Sequence, residues 1–275
     1  MEFNKLVIGG GGIKGFSFVG VLKYMEENNL LDKITHYYGS SAGAIICTLL
    51  CIDYTINDIE ELISLEFDKF MDISIEQLFT KFGLCDGQKL YNLFYAIIKQ
   101  KYEDVEELTF KKHYEKFNKF LCITGSKIKN YESVYFNHET YPDFLIIDAL
   151  RITCCIPLFF TPIEINNELY VDGDLFCSYP IPKNDYEKET TFFIQSSSDI
   201  NDKFNSLNEY IKTLFYGLWY LSKENKLDIK YMLDLNFNKS IIDFSIDNDK
   251  KTKIIEYGYE NAKQYFTKQL KLKKE

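Results

Sequence analysis

The feature that most restricts the fold is a run of four glycines, Gly9, Gly10, Gly11 and Gly12. It cuts off the short apolar segment at residues 6–8, and Phe18, Val21, Leu22 and Met25 follow at helical spacing. An apolar run ended by glycines suits a buried strand entering a tight loop, and apolar residues three and four apart mark the buried face of a helix. The chain therefore begins strand, glycine turn, helix. Residues 34–38 read as a second strand stopped at Gly39. Residues 42–52 are almost wholly apolar, and their length and alanine content favour a buried helix. Two such units in succession predict an α/β fold of three layers, α/β/α, around a mostly parallel central sheet.

Residues 53–117 read as helical and without strands. Leu90, Leu93, Phe94, Ile97 and Ile98 share one face behind a cap at Asp86, and Thr109 caps a further helix. Residues 119–128 and 131–137 return to strand character. Residues 145–155 form an apolar helix ended by Pro157, and 169–171 and 191–195 are later strands. Amphipathic helices at 206–221 and 251–270 flank a strand near 241–244. No linker rich in Pro, Gly or Ser and no internal repeat interrupts the 275 residues, so residues 1–275 are read as one domain. Its motif-bearing core covers about residues 5–182, with a helical and strand extension over 183–275.

Between the second strand and its helix stands Gly39-Ser40-Ser41-Ala42-Gly43, a G-x-S-x-G pentapeptide. Flanking glycines permit the sharp turn that lifts Ser41 above the sheet edge, and the following helix aims its amide groups and positive dipole at the site. The competing reading is a plain Ser/Gly turn that caps the helix. A nucleophilic serine needs a base, yet the chain has only His36, His113 and His138, and no histidine follows His138. The late histidine of a Ser, acid, His order is therefore absent. His36 reads as a structural strand residue, His113 and His138 as solvated surface groups. A conventional triad is disfavoured.

The glycine loop, Gly9-Gly10-Gly11-Gly12-Ile13-Lys14-Gly15, exposes backbone N–H groups ahead of a helix N-terminus, which forms a nest for phosphate or for a developing oxyanion. A Walker loop requires Gly-Lys-Ser/Thr, whereas Lys14 precedes Gly15 and Phe16. A dinucleotide fingerprint is matched formally by Gly10, Gly12 and Gly15, but the second strand ends in Gly-Ser-Ser where a ribose-binding carboxylate belongs. The oxyanion reading explains why a serine elbow ends the next strand.

A third motif, Val171-Asp172-Gly173-Asp174, is by itself a turn signal. Taken in order, the glycine loop, the elbow, the segment Arg151-Ile-Thr-Cys-Cys-Ile-Pro-Leu-Phe-Phe-Thr-Pro162 and Asp172-Gly173 resemble the patatin-like phospholipases. That resemblance spans about residues 5–182, with nothing to align beyond Pro182. It implies Ser41 as nucleophile, Asp172 as its base and Gly10, Gly11 and Gly12 as oxyanion donors. Gly15, Gly39, Gly43 and Gly173 are then motif positions, and neither histidine, metal nor other cofactor is needed. Lys14 takes the place of a basic residue in the family's loop, either approaching a lipid phosphate or standing exposed at the helix start. The chain departs from the family in having Asp174 after Asp-Gly. Of the two readings, repulsion that raises the Asp172 pKa and a side chain turned to solvent, the solvent reading is the expectation.

The function implied is a phospholipase A or lysophospholipase type of acyl hydrolase. A neutral-lipid esterase or acyltransferase on the same fold, and a non-catalytic lipid-binding module, are the alternatives. Phospholipid or lysophospholipid is the expected partner, with peripheral membrane contact through local patches. Leu158, Phe159, Phe160 and residues 216–221 line an acyl channel, touch a bilayer or are plain core, and the lysines at 268–274 read as a solvated helix end. Net charge −9 with scattered lysines offers no track for nucleic acid. Seven cysteines without a CxxC pair favour reduced, buried thiols and a cytoplasmic setting. No signal-peptide pattern opens the chain, no apolar run reaches the ~20 residues of a membrane span, and no carboxylate spacing suggests calcium.

Overall fold

A computed structural model describes residues 1–63, 65, 72–177, 179–197, 210, 213, 227–236 and 247–272. Strand β1 (Lys5–Ile8) is buried on both faces. Leu6 and Ile8 enter the main apolar cluster, and Val7 joins a smaller one with Tyr38, Phe120, Cys122 and Phe193. A strand apolar on both sides belongs in the middle of a sheet. It pairs in parallel with β2 (His36–Gly39) and with β9 (Thr191–Ser197). The eight-stranded sheet runs β10 (Met232–Asn236), β9, β1, β2, β4 (Phe120–Lys127), β8 (Glu168–Asp172), β7 (Ile163–Ile165), with β5 (Glu132–Phe136) paired to β4 off this path. The strands from β10 to β4 are parallel, and β5, β7 and β8 are antiparallel additions. The mostly parallel sheet is the expected one.

Helices α1 (Gly15–Glu27), α2 (Ala42–Cys51), α3 (Ile56–Ile63), α5 (Gln88–Lys99), α6 (Phe110–Phe117), α7 (Ile146–Thr153) and α8 (Asn248–Leu272) supply buried residues on this scaffold, whereas the short α4 (Ile75–Lys81) buries none. Helix α2 is hydrophobic nearly all round because it lies in the core against β2, as its sequence predicts. The opposite sheet face is covered in part by Tyr179, Ile181 and Tyr186 and by Leu227 and Ile229. Thr109 caps α6 through its side chain. At α5 the cap residue is Gly87, and the Asp86 carboxylate accepts from the Gln88 amide instead. All seven cysteines are free and buried.

Residues 53–117 are not free of strands, as the sequence suggested. Strand β3 (Gly83–Cys85) pairs in parallel with β6 (Leu158–Phe160) as a separate two-stranded sheet. Three residues are too few for an alternating pattern, and the partner lies far along the chain, so no local signal exists. β10 was likewise missed. The expected helix at 206–221 and strand near 241–244 fall outside the described residues, except for Tyr210 and Thr213, which are helical. Among the described residues no helix is long and apolar enough to cross a membrane.

Register positions the site. Ile8 stands opposite Gly39, so the loop after β1 and the turn after β2 leave the sheet side by side at its carboxyl edge, where open α/β sheets bind ligands. Gly39 in turn faces Ile123 of β4, and two residues further Gly125 faces Asp172 of the antiparallel β8.

Candidate active site

Ser41 sits between β2 and α2 with φ 50° and ψ −124°, a left-handed conformation that a side chain rarely adopts. The turn is tight enough that both flanking glycines are obligatory. A Cβ on Gly39 would lie 2.5 Å from the Ala44 Cα, and one on Gly43 would lie 2.2 Å from the Ile8 carbonyl oxygen. The Ser41 amide donates to Thr153 Oγ1 at 2.8 Å, which ties the turn to the end of α7. Sequence reasoning assigned Thr153 no role, because a buried threonine inside an apolar helix carries no distinguishing pattern.

Asp172 ends β8 and is buried. Its amide donates to the Cys155 carbonyl at 2.8 Å, and its Oδ1 accepts from the Asp174 amide at 2.9 Å, which fixes the carboxylate. The Asp172 pKa stands well above the ordinary carboxylate range. Burial is the largest cause and the Asp174 charge the second, while the Asp174 amide and the Ser41 hydroxyl pull it down as hydrogen-bond donors. Gly173 lies so close to the Thr124 carbonyl and Ser40 that a Cβ would fall 2.2 Å from the former.

Asp174 is not turned to solvent as expected. Its carboxylate folds back over the glycine loop, where a Cβ added to Gly10 would lie 1.5 Å from Asp174 Oδ2. Only the bare backbone of a glycine leaves room for it. The loop itself is pinned to β9: the Gly9 amide donates to the Ile194 carbonyl at 2.9 Å, and Ser196 Oγ donates to the Gly10 carbonyl at 3.4 Å. Among the described residues no backbone carbonyl accepts from the amide of Gly10 or Gly11, and Gly12 adopts φ 53°. Lys14 is not exposed either. It is buried, and its Nζ donates to the Ser197 carbonyl at 3.2 Å, so it braces the loop against the end of β9. Gly15 packs on Ala42, where a Cβ would come within 2.8 Å.

An apolar cavity of about 130 Å³ opens beside Ser41. Gly12, Gly15 and Ala42 line it near the serine, and Ile46, Leu93, Phe94, Ile97 and Phe160 line the rest. Phe160 therefore combines the two roles the sequence left open, buried core and channel wall. None of the three histidines lines this cavity. His113, expected in solvent, is buried next to Cys51 at the end of α2, where desolvation depresses its pKa to about 4. His138 stacks on Tyr114 at 3.8 Å. For His113, packing across elements, which a charged helical neighbourhood does not reveal, decided the outcome. Among the described residues no group of three His, Cys, Asp or Glu side chains is arranged to hold a metal ion.

Comparison with known proteins matches residues 6–182 to the family described as patatin-like phospholipase. The probable lipid hydrolase 463L of Invertebrate iridescent virus 6 is 32% identical over 185 residues, which cover 65% of this chain and 62% of that protein. Triacylglycerol lipase 5 of Saccharomyces cerevisiae is 32% identical over 65% of this chain but only 27% of its own length. The crystal structure of VipD from Legionella pneumophila superposes with a TM-score of 0.64 over 98% of this chain and 67% of that one, at 15% identity, a likeness of fold.

Proposed function

The chain belongs to the patatin-like phospholipase family, and from that premise we propose that it is a lipid acyl hydrolase working through Ser41 and Asp172. The observation that carries this reading is the strained Ser41, held beside a buried carboxylate at the mouth of an apolar cavity. Asp172 takes the hydroxyl proton as Ser41 Oγ bonds to the ester carbonyl carbon, and the amides of Gly10, Gly11 and Gly12 stabilise the oxyanion. The ester C–O bond then breaks, and the leaving alcohol takes the proton from Asp172. Water, deprotonated by the same carboxylate, then bonds to the acyl carbon, the Ser41 Oγ–C bond breaks to release the fatty acid, and Asp172 returns the proton to Ser41 Oγ. A base whose pKa is raised toward the working pH suits both halves of this cycle.

The reading needs no calcium, since base and oxyanion donors are protein groups. The apolar cavity suits the first few methylenes of a fatty-acyl chain beside its ester carbonyl. Phospholipid or lysophospholipid is the substrate class proposed, and the likeness to a triacylglycerol lipase favours neutral glycerides as the second reading. The buried, free cysteines support a reducing compartment such as the cytosol. Fatty-acid release from phospholipid, lysophospholipid and triacylglycerol micelles in EDTA tests all of this at once. Wild type should release fatty acid, and Ser41→Ala and Asp172→Asn should each abolish it. Activity surviving in Ser41→Ala would sink the mechanism, and the preferred micelle identifies the lipid.

A further inference from the structure

Helix α4 buries none of its residues fully, and its Ile75 and Phe79 side chains stand in water. Ile75, Phe79 and Phe82 recur at i, i+4 and i+7 on one face, at 71%, 78% and 68% exposure, with Ile73 before them at 63%. Scattered exposed apolar residues are ordinary; three on one face, with a fourth two residues ahead of them, mark a surface meant to be covered.

Two of the residues here also occupy costly backbone. Phe82 closes α4 at φ 63° and Leu158, 44% exposed, starts β6 at φ 65°, both in the left-handed region where glycine or asparagine is favoured. In the register of the small sheet Leu158 faces Gly83, the residue next to Phe82, and Phe160 faces Cys85. Phe160 lines the cavity beside Ser41. The exposed stripe thus continues through Leu158 into the cavity wall. The strand is held in place by the Thr161 amide donating to Cys85 and by the Ser74 amide donating to Leu84.

We propose that Ile73, Ile75, Phe79, Phe82 and Leu158 form a docking surface for a zwitterionic phospholipid bilayer, feeding acyl chains along β6 to the cavity. A lipid occupant follows from continuity with that cavity, and so rests on the acyl hydrolase reading. Charge selects the kind of interface. Asp72 pairs with Lys89 at 2.6 Å, Glu76 and Lys81 stand at opposite ends of α4, and the chain carries −9 overall, so among the described residues here no cluster of positive charge attracts an anionic bilayer. Apolar insertion supplies the binding, and added salt does not weaken it.

The test compares the full chain with the triple variant Ile75→Ser, Phe79→Ser, Phe82→Gly. All three positions are exposed, and glycine suits the left-handed backbone at 82, so the variant should melt no lower than wild type. Flotation with phosphatidylcholine vesicles at low and high salt reads docking, and p-nitrophenyl butyrate hydrolysis reads the site. We expect vesicle binding to fall at least about tenfold in the variant, salt-independent binding in wild type, and unchanged butyrate turnover. Equal vesicle binding by both proteins overturns the proposal, as does a wild-type dimer that the variant converts to monomer, since the stripe would then serve a second copy. Patch-dependent binding by a wild type that hydrolyses no ester supports the docking surface and removes the hydrolase reading. Hydrolysis with patch-independent binding does the reverse.

Discussion

The carboxylate of Asp174 lies against the α-carbon of Gly10, in space that any side chain at position 10 would need. Two groups from different ends of the proposed chemistry meet there, since Gly10 belongs to the oxyanion loop and Asp174 adjoins the base. A negative charge at this point opposes the ionisation of Asp172. Asp174→Asn removes it, so Asp172 loses its proton at lower pH. The acid limb of kcat/KM should move to lower pH in the variant, and an unmoved limb would show that the charge of Asp174 is not felt at the base.

Asp172→Asn should trade activity for stability. Loss of the base lowers turnover by about 10²–10⁴-fold. Because the folded-state pKa of Asp172 lies above its unfolded value, the folded chain holds an extra proton between those two values. Wild-type stability therefore declines as pH rises through that window, and asparagine removes the decline. Thermal melts should show the variant above wild type at neutral pH, with the gap closing below the ordinary carboxylate range.

Ser41 bears backbone strain that a glycine does not. Ser41→Gly should gain about 1 kcal/mol over Ser41→Ala in urea unfolding, both variants being inactive. Equal stability of the two would mean the elbow is unstrained.

Gly43→Ala should cost more than about 2 kcal/mol, or prevent folding, because its Cβ would strike the carbonyl oxygens of Ile8 and Gly9, which are backbone and cannot turn away. Gly9→Ala is the control. Its Cβ would meet nothing nearer than 3.5 Å and should be tolerated.

His113 should weaken the fold in acid. Buried and neutral, it resists protonation until about pH 4, whereas the unfolded chain binds that proton near its ordinary value of 6.5. Between those values the unfolded state holds more protons, so stability falls as pH drops from about 6.5 to about 4, by up to about 3 kcal/mol. His113→Asn should lose less stability than wild type between pH 7 and pH 4.5 in parallel melts.

Sequence by itself determined the parts that depend on neighbouring residues. Four glycines after an apolar run dictated a loop into α1, and Gly39 and Gly43 around Ser41 dictated a sharp turn into α2, since the close approaches needed there are open only to glycine. The apolar periodicity of α5 and the two-sided burial of β1 were legible for the same reason. Asp172 became a candidate only through its resemblance to a family, because nothing local distinguishes it from any Asp-Gly turn.

What only the tertiary structure decided were relations between distant segments. Strand register brings Asp172 beside Ser41 and turns Asp174 onto Gly10, and it sets Thr153 beneath the elbow. Lys14 and His113 are buried against the rule for their types because they meet the ends of β9 and α2, elements distant in sequence. The exposure of Phe79 and Phe82, large apolar residues of a type most often buried, belongs here too. Local sequence sets backbone preference and periodicity. Which surface each side chain meets depends on packing across the whole chain, and no window of neighbouring residues contains that information.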